Sequence, residues 1–145
     1  MVARVDFYVL TATTPHARGD FACRLAEKAY KLGNSVLIVL ANPTDAADLD
    51  AQLWTCRPDS FVPHRLLQPN ETPAPQTDGV CLCTAPISSA SFDLLINLAP
   101  DPVPDLERFG RLAEVVVQLE PVLHATRRLF GYYKGLQLPV QTHKL

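Results

Sequence analysis

Residues Arg4 to Leu40, RVDFYVLTATTPHARGDFACRLAEKAYKLGNSVLIVL, decide the fold. RVDFYVL (Arg4–Leu10) is rich in β-branched and aromatic residues, and SVLIVL (Ser35–Leu40) is the unbroken apolar run of a strand covered on both faces. Between them Phe21, Leu25, Ala29 and Leu32 recur at helical spacing, with Gly19-Asp20 as the predicted start and Gly33 as the stop. A β-α-β unit needs a crossover connection, which makes its strands parallel and packs helices on the sheet.

Downstream, Asn42-Pro43 reads as an N-cap with proline in the first turn, and a second helix is expected to about Trp54. Pro58, Pro63, Pro69, Pro73 and Pro75 then punctuate the chain, predicting an exposed proline-rich loop over Gln68–Gly79 and a short edge strand within Phe61–Leu67. Val80–Cys83, Phe92–Leu98 and Arg111–Leu119 resume strand character. A short helix is expected before Gly110, a last helix over Pro121–Gly135, and a tail over Leu136–Leu145. The fold class is therefore a single-domain, three-layer α/β/α protein over residues 1–145, with a mainly parallel open sheet and Rossmann-like topology lacking a nucleotide motif.

At 145 residues the chain can bury roughly 70% of its unfolded surface. Its 48% apolar and 19% charged content is that of a folded domain. A net charge of −2 provides no bulk positive field, which disfavours strong direct nucleic-acid binding. No apolar run approaches the ~20 residues of a membrane span and no signal-peptide layout follows Met1, so a cytoplasmic protein with no membrane partner is expected. Cys23, Cys56, Cys81 and Cys83 lack disulfide-framework spacing and read as reduced thiols.

Catalytic signatures are sparse. The loop Thr11–Asp20 (TATTPHARGD) has one glycine and neither GxGxxG nor GxxxxGK[ST], and a small nucleotide- or phosphate-binding α/β enzyme using that loop stands as the alternative reading. No HExxH, GxSxG or paired CxxC occurs, so no metal, cofactor or nucleophile is expected. Two segments instead look like partner surfaces. Leu53–His64 gathers Trp54 and Phe61 with stiffening prolines; the aromatics suit either an interface or the domain's own core.

On the last helix, ~100° phasing puts Val122, Ala125, Leu129, Tyr133 and Leu136 on a core face, and Leu123, Arg127, Phe130 and Lys134 on a second stripe. An apolar floor between two cations suits a peptide carrying an apolar side chain and a carboxylate, although a solvated face fits equally. Single-stranded-DNA stacking on Phe130, Tyr132 and Tyr133 is a third reading, opposed by the negative net charge.

At these segments the sequence resembles the chi-subunit family of bacterial DNA polymerase III holoenzyme. The resemblance is carried by DFYVL, CRLAEKAYKLGNSVLIVL, LWTCRPDSFVPHRL, DLLINLAP and RRLFGYYKGLQLPV, and spans essentially the whole chain. It implies a non-catalytic component of the clamp-loader assembly that pairs with the psi subunit and holds the acidic, phenylalanine-ended C-terminal tail of single-stranded-DNA-binding protein (SSB). By position it implies a psi-binding surface at Trp54, Phe61, Val62, Pro63 and His64, and a tail-binding site at Arg127 and Phe130 with Lys134 beside them; Leu123, on the same stripe by helical phasing, would add to the apolar floor. Phe130 stands where the family often has tyrosine, and Gly131 where lysine can occur.

Overall fold

The computed structural model describes residues 2–55, 62–68, 71, 73–74, 79–84 and 91–145. In chain order these form β1 (Arg4–Val9), α1 (Pro15–Lys31), β2 (Val36–Val39), α2 (Pro43–Thr55), β3 (His64–Leu66), β4 (Val80–Cys83) and β5 (Phe92–Asn97). A 3-10 turn (Leu106–Arg108), β6 (Phe109–Val116), α3 (Glu120–Gly135) and β7 (Val140–Lys144) follow. The seven strands make one open sheet in the order β3-β4-β2-β5-β6-β1-β7, and every pairing among them is parallel. β2 and β4 are buried at every position, which is why VLIV and VCLC carry no polar alternation.

Two apolar layers flank the sheet. Ala22, Ala26, Ile38, Leu49, Leu94 and Ile96 pack with α1 and α2 on one face; Leu37, Leu95, Leu106, Leu112, Leu129 and Tyr133 pack with α3 on the other. The α/β/α layering expected from the first β-α-β unit is thus realised.

The helix ends differ instructively from the sequence reading. α1 starts at Pro15, not at Gly19-Asp20, because the Thr14 hydroxyl accepts a hydrogen bond from Ala17 N at 3.2 Å and proline occupies the first turn. Gly19 lies inside the helix, where a Cβ would run into the Gln52 side chain of α2. The buried residues of α1 are consequently Gly19, Ala22, Cys23, Ala26, Glu27 and Ala29, small ones apart from Glu27; Phe21 and Leu25 are only half-buried, and Leu32 is exposed at the cap. Gly33, at φ +87°, ends the helix as expected. α2 also starts as expected, with Asn42 Oδ1 accepting from Asp45 N at 2.8 Å.

The C-terminal segment expected as a tail carries β7, which pairs with β1 from Val5↔Val140 to Val9↔Lys144. His143 Nε2 also meets Asp6 Oδ1 at 2.9 Å, and Asp6 is fully buried. Leu136, placed on the core face by phasing, is 49% exposed. It caps α3, and Gln137 at φ +60° turns the chain away there. Within the expected exposed loop, Gln68 and Ala74 are exposed, whereas Pro73 and Gly79 are buried; residues 69–70, 72 and 75–78 lie outside the described set.

Gly79 is held at φ +74° with the Pro63 carbonyl oxygen where a Cβ would stand, and that oxygen also accepts from Val80 N at 2.8 Å. Gly79→Ala is therefore expected to cost about 2 kcal/mol or more, through left-handed strain and displacement of β3, measurable as a lower urea midpoint.

Candidate functional site

α3 begins on Glu120 and Pro121 and carries Lys134 in its last turn, charges that match the two helix ends. Its buried face is Ala125, Leu129 and Tyr133. The second stripe lies beside it: Leu123 is half-buried against the α3-side core, while Phe130 is 39% exposed. The Phe130 ring centroid is 5.6 Å from that of the buried Phe7, so the ring is supported from below and partly exposed. Lys134 Nζ lies 5.7 Å from the Phe130 centroid. Among the described residues Arg127 meets only a loose partner, Glu120 at 3.6 Å, with side chains 68% and 78% exposed. Such a pair is worth little and leaves the guanidinium available to a stronger carboxylate. A Cβ on Gly131 would meet nothing within 4 Å, so backbone is accessible in the middle of this helix. Tyr133 is completely buried and offers no ring face for stacking a base.

The second surface is led by Trp54, 57% exposed at the end of α2. Its ring centroid lies 4.7 Å from that of His64, edge-on. His64 Nδ1 donates to Val62 O at 2.9 Å, which holds the imidazole against the indole; Nε2 lies 3.3 Å from Asp50 Oδ1 without a hydrogen bond. Val62 is buried in the core on the α1/α2 face and Pro63 is half-buried. Of the four of these residues that the structure describes, Trp54 is the exposed member, with Pro63 and His64 beside it. Phe61 lies outside the described residues.

The loop Thr11–Asp20 opens on a cleft of about 470 Å³ between α1 and α2. Its lining includes Arg18, Leu40, Asp45, Asp48, Gln52 and Leu98. Arg18 is engaged with the sheet: Nε donates to Val115 O at 2.8 Å and Nη1 to Leu98 O at 3.1 Å, at the carboxyl ends of β6 and β5. Burial lowers its pKa, against the opposing pull of Glu114 and Asp45. The Asp45 and Asp48 carboxylates on the cleft wall would repel a phosphate. The thiols Cys23, Cys81 and Cys83 are buried, and burial pushes Cys83 up to about 11.

Sequence reasoning missed a polar group under α3. Glu114, in the middle of β6, is 2% exposed, and its Oε2 accepts from the Tyr133 hydroxyl at 2.5 Å and from Asn97 Nδ2 at 2.9 Å. Burial raises its pKa to about 7, although both hydrogen bonds and the Arg18 charge favour the ionised form. Tyr133 is raised as well, first by burial and then by Glu114, so it remains the hydrogen donor. The available signal was a lone acid inside the apolar run LAEVVV.

Fold and surfaces define a three-layer α/β protein on one open parallel sheet. Residues 2–141 match the family described as DNA polymerase III chi subunit, HolC. DNA polymerase III subunit chi of Pseudomonas aeruginosa is 37% identical over 144 residues, covering 99% of this chain and 98% of the relative. DNA polymerase III subunit chi of Haemophilus influenzae is 35% identical over 66 residues, 46% of each chain. The chain belongs to the DNA polymerase III chi subunit family.

Because Glu114 is raised in the folded state, its contribution to stability is full below the unfolded carboxylate value and is lost as pH rises through about 7. Stability of the wild type relative to Glu114→Gln is expected to fall by roughly 3 kcal/mol between about pH 4.5 and 7, then level off, in urea titrations of both proteins. A constant difference across that range would refute the assignment.

Proposed function

We propose that this chain is a non-catalytic accessory subunit of the replicative clamp-loader assembly, acting in the cytoplasm to bridge the psi subunit and the acidic C-terminal tail of SSB. Membership of the chi family supplies the replicative setting. The observation that carries the tail-binding half is Phe130: a partly open ring braced on Phe7, with Lys134 over it and a weakly paired Arg127 one turn back. A terminal phenylalanine would lie against Phe130 and Leu123 while its carboxylate and neighbouring acids meet Arg127 and Lys134. The exposed indole of Trp54, stiffened by His64, supports the psi-binding half, because rigid aromatics anchor protein interfaces.

Titration of a tail peptide ending in phenylalanine tests the first half. Arg127→Ala and Phe130→Ala should each weaken binding about tenfold or more, and added salt should weaken the wild type. Unchanged affinity in both variants would remove the site from α3. For the second half, adding psi should bury Trp54 and shift its fluorescence, an effect that Trp54→Phe abolishes; an unaltered spectrum at saturating psi argues against this surface.

A further inference from the structure

Phe130 and Tyr133 stand three residues apart on α3 and share one support, since the Phe7 ring lies 5.6 Å from Phe130 and 6.0 Å from Tyr133. Below Phe7 the contact changes character. The Tyr133 hydroxyl and Asn97 Nδ2 converge on the same oxygen of Glu114, joining α3, β5 and β6 at one atom. Asn97 extends the junction to the loop after β5: its Oδ1 accepts from Ala99 N at 3.1 Å and its Nδ2 lies 3.3 Å from Asp101 O. Arg128 of α3 reaches the same loop, with Nη2 3.3 Å from Pro100 O. Apolar neighbours such as Ala125 and Leu129 tolerate small rotations of a helix, whereas a short hydrogen bond loses strength quickly with angle.

We propose that Tyr133, Glu114 and Asn97 are positioning residues for the tail-binding stripe, fixing the roll of α3 that presents Arg127, Phe130 and Lys134 together; the proposal rests on the tail-docking reading above. All three are buried and none is available to touch the peptide. The bond from Tyr133 is stronger to an ionised Glu114 than to a protonated one. Protonation of Glu114, with its pKa near 7, therefore loosens the anchor. The groups that face it are Tyr133 from α3, Asn97 from β5 and the Arg18 charge from α1; its partner across β1 is the apolar Phe7. His124 is exposed on α3 and is common to all the variants below.

The test is the affinity of a phenylalanine-ended acidic peptide at about pH 6 and about pH 8 for wild type, Glu114→Gln and Tyr133→Phe. Wild type should bind roughly threefold to fivefold more tightly at the higher pH. In Glu114→Gln that difference should largely disappear. Tyr133→Phe, which keeps the ring, should weaken binding at the higher pH by about fivefold while leaving the circular dichroism spectrum unchanged. A pH profile shared by wild type and Glu114→Gln, with wild-type affinity in Tyr133→Phe, overturns the proposal. Phe130→Ala separates the two levels: if it abolishes binding while the core variants do not, only the positioning role fails; if it has no effect, the docking site itself is misplaced.

Discussion

Parallel pairing is the constraint from which the rest of this molecule follows. A parallel ladder is extended only by returning the chain across the sheet between strands, and each return lays covalent structure over one face or the other. Here α1 and α2 cover one face and α3 the other, so strands as short as VLIV and VCLC are enclosed on both sides and consist of apolar residues throughout. With the sheet faces occupied, contacts with other molecules fall to the outward sides of the helices and to the rims. Both surfaces proposed for partners obey this rule, one on α3 and one at the end of α2.

Much of that architecture was legible because apolar runs and glycine or proline punctuation are local signals. The strands other than β7, the N-cap at Asn42 and the stop at Gly33 all follow from residues within a few positions of one another. What escaped depended on distant neighbours. The buried face of α1 is mostly small residues because α2 comes close enough for Gln52 to fill the space beside Gly19, and no periodicity of large side chains reports such an approach. β7 was equally hidden: VQTHK is polar at most positions, as an edge strand can be, and its pairing is decided by β1 more than a hundred residues earlier.

The candidate site divides in the same way. Helical phasing alone separated Ala125, Leu129 and Tyr133 from the stripe containing Phe130; the exposures depart from that division at Val122 and Leu123, which are both half-buried against one core, and at Leu136, where the helix has ended. The supports beneath the stripe were not readable. Phe7 lies in the first strand, and Glu114 meets donors 17 and 19 residues away that only the packed fold brings to one oxygen. Likewise, Trp54 and Phe61 looked alike as aromatics in a proline-stiffened segment, and it took the packing of His64 against the indole to give Trp54 a defined, outward pose.

The position of β1 has a consequence for how the chain comes into being. It leaves the ribosome first among the strands, yet its two neighbours in the sheet begin at Phe109 and Val140. Through most of synthesis the segment RVDFYV thus has neither hydrogen-bonding partner, while β2, β4 and β5 can already assemble beside it. Such a nascent chain exposes an apolar strand with two open edges, the kind of segment that chaperones recognise and that pairs with wrong partners when they are scarce. Closure of the sheet around β1 is consequently a late event, completed as β7 emerges.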